Sequence, residues 1–277
     1  MAPTAAPIPR FLYGTAWKEE RTEALTALAL RAGFRGIDTA NQRKHYFEAA
    51  VGSAVGKVLA EGIMTRPELF LQTKFTSRDG QDHRLPYDPK APIATQVEQS
   101  FQSSLEHFAT DYIDAYLLHG PSTRGPLARD DLETWRAIEA LAQSGRSRYV
   151  GVSNFTAAQL KELVTLASVE PSFVQNRCYA RTGWDREVRA VCRAHGIVYQ
   201  GFSLLTANRS ELGGTAMKQL MVRTGRSAAE LTFRFALDVG MLPLTGTSSA
   251  EHMRLDLSAL DFALERADVE MLERISG

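Results

Sequence analysis

Residues 69–74 read Leu69-Phe70-Leu71-Gln72-Thr73-Lys74. A short run of this kind reads as a buried strand. The lysine that closes it is unusual, because an ammonium at the end of a buried run needs a counter-charge. Seven further runs have the same character: Phe11–Tyr13, Gly36–Asp38, Ile113–Leu118, Tyr149–Val152, Phe173–Gln175, Ile197–Tyr199 and Met241–Leu244. Helical patterns lie between them. Ile93, Val97, Phe101, Leu105 and Phe108 form one stripe, and Leu132, Trp135, Ile138 and Leu141 form a second that Gly145 stops. Thr156 with Gln159 and Ser227 with Glu230 have the spacing of capping boxes. Asp185 to His195 ends at Gly196, and the last helix carries Val269, Leu272 and Ile275. Eight strands alternating with helices over this length predict a (β/α)8 TIM barrel, an α/β fold of typically ~250 residues. No linker or composition shift divides the chain, so residues 1–277 are expected to form one domain. An open doubly wound sheet is the competing fold. The first strand–helix turn, Tyr13-Gly14-Thr15-Ala16-Trp17, lacks the glycine-rich fingerprint such a sheet uses for dinucleotides.

Composition narrows the function. Thirty-two Lys and Arg balance thirty-two Asp and Glu, which argues against a nucleic acid or an anionic membrane as partner. No apolar run approaches the ~18 residues of a membrane span. The start, MAPTAAPIPR, lacks the pattern of a secretory signal. Two cysteines, Cys178 and Cys192, cannot make a four-ligand zinc site, and no metal is expected. A reducing, cytoplasmic setting follows.

In a barrel, the C-terminal strand ends point into the mouth where substrates bind. Those ends carry Asp38, Lys74, His119, the pair Ser153-Asn154, and the pair Gln175-Asn176. Each has a plain structural reading: Asp38 can cap a loop, Lys74 can reach the surface, and His119 can sit in a turn before Gly120-Pro121. Three titratable groups of different sign at consecutive strand ends are more than the fold requires, and Asp38 is the natural counter-ion for Lys74.

With these residues in place the sequence resembles the aldo-keto reductases over nearly its whole length. The resemblance rests on Gly33-Phe34-Arg35-Gly36-Ile37-Asp38-Thr39-Ala40, Leu71-Gln72-Thr73-Lys74, Asp111-Tyr112-Ile113-Asp114 through Leu118-His119-Gly120-Pro121, and Gly151-Val152-Ser153-Asn154-Phe155. It implies a barrel that binds a nicotinamide dinucleotide and reduces aldehydes or ketones with an Asp, Tyr, Lys, His tetrad. Asp38, Lys74 and His119 match three members. The family places its tyrosine five residues after the aspartate, where this chain has Arg43. Counting back from Glu48 and Val51-Gly52, the loop is two residues longer, which puts His45 in the slot with Tyr46 beside it. Tyr46 is the only phenol nearby and is taken as the general acid, with His45 as the alternative. The expectation is that Lys74, fixed by Asp38, lowers the tyrosine's pKa from its usual ~10, while His119 orients the carbonyl.

The resemblance also implies a cofactor shelf. Thr15, Ala16 and Asp38 contribute from the first strands. Ser153, Asn154 and Gln175 face the carboxamide, Phe202 stacks on the nicotinamide, and Ser203 and Leu205 meet the pyrophosphate. Gly246, Thr247, Ser248, His252 and Asp256 receive the adenosine end. Many members carry a lysine and an arginine for the 2′-phosphate of NADPH, where this chain aligns Gly246 and His252; Arg254 is a nearby substitute. NADPH is the expected cofactor, with NADH possible. The substrate is a small carbonyl compound lined by Trp17, Tyr46, Tyr87 and His119, with Tyr179 as a further candidate wall. The pocket is expected to be open, because Gly120 follows the histidine and the chain stops soon after its last helix. A monomer or weak homodimer is expected. Two other functions fit the same fold: a dinucleotide-binding regulatory or sensor protein with little turnover, and a lyase using Lys74 as a Schiff-base nucleophile.

Overall fold

The computed structural model describes residues 7–276, so the reading of the first six residues lies outside it. All eight runs are strands: β1 Leu12–Gly14, β2 Gly36–Asp38, β3 Phe70–Phe75, β4 Ile113–Leu118, β5 Ser147–Ser153, β6 Phe173–Arg177, β7 Val198–Phe202 and β8 Met241–Thr245. They pair in chain order and in parallel, and β8 pairs back onto β1 to close a barrel. Eleven helices occur among the described residues: α1 Thr22–Ala32, α2 Glu48–Ala60, α3 Ile93–Phe108, α4 Arg129–Gln143, α5 Ala157–Leu166, α6 Arg186–His195, α7 Arg209–Leu212, α8 Thr215–Thr224, α9 Ala228–Asp238, α10 Ala250–Ser258 and α11 Arg266–Glu273.

Local signals act as chemistry requires. In the α5 box the Gln159 amide donates to Thr156 Oγ1 at 3.2 Å, and the Thr156 amide donates to Gln159 Oε1 at 3.1 Å. Ser227 and Glu230 repeat this at α9, at 3.2 and 2.9 Å. Gly196 closes α6 at φ 67°, a conformation that is free of strain only for glycine. Helices α7 and α8 carried no legible signal, because α8 buries only Met217 and Leu220.

Alternation along the strands divides the barrel. Inward residues build an apolar floor of Leu12, Phe70, Ala115, Leu117, Phe173 and Leu242. Above it β3, β6 and β7 place polar groups: Gln72, Lys74, Gln175 and Gln200, all buried. Outward residues such as Leu71, Phe75, Val174 and Tyr199 pack beneath the helices. At Gly52 the helices α2 and α3 nearly touch, since a Cβ there would lie 1.7 Å from the His107 carbonyl oxygen. That contact sets His107 against Glu48, one turn earlier on α2. No described helix is long and apolar enough to cross a membrane.

Candidate active site

Asp38 ends β2 and Lys74 lies in β3, so parallel pairing brings them together at the barrel mouth. Lys74 is wholly buried, and its Nζ donates to Asp38 Oδ1 at 2.6 Å and to the Thr39 carbonyl at 2.8 Å. Asp38 Oδ1 also accepts from Gln72 Nε2 at 2.7 Å and Gln175 Nε2 at 2.9 Å. Gln200 ties those two amides to each other. The pair is thus held by β3, β6 and β7 together.

Tyr46 reaches the same point from the β2–α2 loop. Its backbone amide donates to the Gln42 carbonyl at 3.0 Å, turning the ring inward. The loop is pinned at both ends. Asn41 Nδ2 donates to the Ser100 carbonyl at 3.0 Å, and Gln42 Nε2 to the Gly80 carbonyl at 2.5 Å. Glu48, buried, accepts from Ser104 Oγ at 3.0 Å, from Thr73 Oγ1, and bonds His107 Nδ1 at 2.7 Å. The Tyr46 ring stands 5.4 Å from Lys74 Nζ and edge-on to His119, with centroids 5.8 Å apart. Thr76 Oγ1 hydrogen-bonds His119 Nδ1 at 2.6 Å, which leaves Nε2 for the cavity. His45 points elsewhere and stacks on Trp17 with centroids 4.0 Å apart.

The electrostatics correct one expectation. Burial first, and the Asp38 charge second, push the Tyr46 phenol well above its ordinary value. Lys74 directs its hydrogen bonds to Asp38 and Thr39. Tyr46 therefore stands protonated rather than acidified. Burial also pushes Lys74 below its usual range, with Asp38 opposing. His119 is pushed down to about 3 by burial and then by Lys74, so its imidazole is neutral at ordinary pH.

A cavity of about 750 Å3 opens over this cluster and runs to α10. Tyr46, His119 and Asp38 line one end; Ser153, Asn154, Gln175, Phe202, Ser203 and Leu205 continue the wall; Gly246, Thr247, His252 and Asp256 form the far end. Trp17 and Ala16 stand at the rim. Trp17, Asn154 and Ser203 have φ of 61°, 61° and 57°. A left-handed backbone costs such residues ~1–3 kcal/mol, and all three lie on the cavity wall.

Several expected residues are not brought to the wall. Thr15 is buried and donates its hydroxyl to the Asp38 carbonyl at 3.0 Å, bracing β2 instead. Tyr87 is buried under the loop, with its hydroxyl donating to the Thr76 carbonyl at 2.9 Å. Ser248, Arg254 and Tyr179 are also off the wall. Lys74 is not on the cavity wall and gives its hydrogen bonds to Asp38 and Thr39, an arrangement that does not favour the lyase reading. The sequence reading missed Lys18 and Arg177, both on the wall, and the Gln72–Gln200 contact. Arg177 was legible by alternation, since it follows Gln175 by two on β6.

The sequence matches the aldo/keto reductase family over residues 12–276. The chain belongs to this family. As an aldo/keto reductase it is an oxidoreductase. It is 30 % identical over 277 residues to D-galacturonate reductase of Fragaria ananassa, covering 92 % of this chain and 82 % of that one. It is 29 % identical over 259 residues to glyoxal reductase of Bacillus subtilis, covering 93 % and 84 %. The solved structure of a Bombyx mori aldo-keto reductase in complex with NADP superposes with a TM-score of 0.80 at 26 % identity, covering 98 % of this chain and 93 % of that one. Another aldo-keto reductase, complexed with NADPH, has a TM-score of 0.83 at 25 % identity, covering 98 % and 85 %. Within this aldo/keto reductase the β2–α2 loop is held by the Asn41 and Glu48 anchors, and Tyr46 rather than His45 faces the cavity.

Proposed function

We propose that this reductase converts small aldehydes or ketones to alcohols with NADPH. One observation carries the reading: Tyr46 and His119 face one point on the cavity wall, above the buried Lys74–Asp38 pair. The cavity suits a dinucleotide. It is far larger than a small carbonyl needs, it offers the Phe202 ring face, and Asn154 Oδ1 accepts no hydrogen bond from the described residues. Ser153, Asn154, Gln175 and Phe202 would hold the nicotinamide end, and Gly246, Thr247, His252 and Asp256 the adenosine end. When bound, the dinucleotide supplies the hydride.

The chain's own residues handle the oxygen. With the Thr76 hydroxyl donating to Nδ1, neutral His119 carries its proton on Nε2 and donates to the carbonyl oxygen, orienting it. Tyr46 holds its proton until negative charge develops on that oxygen, then releases it. Lys74 stabilises the phenolate so formed, which is where its charge acts. Asp38 and its two glutamine partners keep the ammonium in place. Trp17 at the rim contributes an apolar wall for the substrate.

Tyr46→Phe tests this. General acid catalysis contributes roughly 10²–10⁴-fold, so kcat with a reactive aldehyde should fall by that factor while NADPH binds as before. Full activity in the variant removes the assignment. Wild-type protein that binds NADPH but oxidises none of it across a broad aldehyde panel would instead be a sensor of the dinucleotide.

A further inference from the structure

Two buried glutamines that touch no reacting atom tie the loop of Tyr46 to its neighbour. Gln42 and Gln81 are 5 % and 8 % exposed. Gln42 Nε2 donates to the Gly80 carbonyl at 2.5 Å, and Gln81 Nε2 donates in return to the Asn41 carbonyl at 2.9 Å. The exchange clasps residues 41–42 of the β2–α2 loop to residues 80–81 of the β3–α3 loop. Arg84 adds a bond nearer the surface, from Nη2 to the Arg43 carbonyl at 3.1 Å. Each glutamine is only half satisfied, since neither Oε1 finds a donor among the described residues. Each therefore pairs one loop carbonyl while leaving its own oxygen bare, an exchange close to neutral for stability. What the pair contributes is direction.

That direction bears on both groups that face the substrate oxygen. The Gln42 carbonyl accepts from the Tyr46 amide at 3.0 Å and from the His45 amide at 3.3 Å, so the residue held by Gly80 is the one on which the turn of Tyr46 is built. Gln81 Nε2 has a second, longer contact, to the Thr76 carbonyl at 3.3 Å. Thr76 in turn holds His119 Nδ1 through its hydroxyl. One side-chain amide thus joins the backbone five residues before Tyr46 to the residue that orients His119.

We propose that Gln42 and Gln81 are positioning residues, a clasp that sets the Tyr46 hydroxyl against the carbonyl oxygen that His119 holds. The inference rests on the reductase reading above and deepens it. Gln81→Met removes the donors and keeps most of the bulk. Gln42→Met cuts the other half, so a variant that fails to fold leaves the other to decide. Each is measured for Tm, for NADPH Kd by quenching of tryptophan fluorescence, and for the single-turnover rate of NADPH oxidation with a saturating reactive aldehyde. A displacement of about 1 Å costs ~10²-fold, so the rate should fall about ten- to a hundredfold. Kd should change less than about twofold, and Tm by no more than about 4 °C. The decisive arm repeats Gln81→Met in the Tyr46→Phe background. A clasp that acts through the Tyr46 hydroxyl has nothing left to position there, so the residual rate should be equal with and without the glutamine. An unchanged rate in the single variants overturns the proposal. So does a loss that persists undiminished beside Tyr46→Phe, or one matched by an equal loss of NADPH affinity, since either marks a general disturbance of the barrel mouth. The two readings fail separately. Full activity of Tyr46→Phe removes the general acid itself, whereas an inactive Tyr46→Phe with a fully active Gln81→Met keeps the acid and removes the clasp.

Discussion

Replacing Lys74 by methionine tests the centre of the site through stability alone. Lys74 is wholly buried and Asp38 nearly so, and their contact is 2.6 Å. Methionine fills most of the lysine stem, so little cavity opens. What changes is charge: Asp38 keeps the amides of Gln72 and Gln175 but loses its counter-ion inside the barrel. Breaking a buried pair in this way costs ~3–5 kcal/mol. A chain of this size shifts Tm by about 2–4 °C per kcal/mol, which gives a fall of roughly 6–20 °C. The Asp38→Asn, Lys74→Met double variant removes both charges and keeps an oxygen facing the two amides. It should recover most of the loss, leaving a coupling of at least ~2 kcal/mol. Urea unfolding followed by circular dichroism on all four proteins measures the cycle. Activity is lost in every variant and does not enter. If each single substitution costs under ~1 kcal/mol, or if the two costs simply add, the view of Asp38 and Lys74 as an interdependent buried pair is refuted.

Two pH dependences follow from the remaining titratable groups. Burial pushes Asp256 from its usual 3.8 up to about 6, against the Thr245 hydroxyl that donates to Oδ2 at 2.8 Å. Because the folded value is raised, its stabilising contribution is complete below about 3.8 and is lost as pH rises through about 6. Over the same rise a carboxylate appears on the cavity wall, so NADPH affinity should weaken between roughly pH 5 and 7, a trend that Asp256→Asn should abolish; parallel Kd profiles for the two proteins would contradict this. His107 is raised above 6.5 chiefly by its hydrogen bond to Glu48. Its contribution is therefore present below 6.5 and fades as pH climbs through the raised value, so the Tm gap between wild type and His107→Gln should close at alkaline pH. A gap independent of pH would show that the histidine acts by packing alone.

The barrel was legible because each strand is a run of β-forming residues and each main helix a 3.6-residue stripe, and both patterns are local. Asp38, Lys74 and His119 were legible for a related reason. Strand ends are visible in sequence, and parallel closure sends all of them to one mouth. Other assignments fell short where a side chain's direction was set by distant partners. Thr15 and Tyr87 have the right residue types near the mouth, yet the Asp38 and Thr76 carbonyls capture their hydroxyls. The expected acidification of Tyr46 weighed Lys74 alone, whereas burial of the ring and then the Asp38 charge push the phenol the other way.

Sequence by itself determined the closed barrel and the three titratable strand ends, since periodicity and strand termini are properties of neighbouring residues. Only the tertiary structure decided that Tyr46 and not His45 turns inward, because the hydrogen bonds that Asn41 donates to α3 and Glu48 accepts from it, some sixty positions away, set the course of that loop. It alone brought Lys18 to Gly246 across a separation of 228 residues. A lone lysine has no period and no motif, and its place acquires meaning only from the residues that the fold gathers around it.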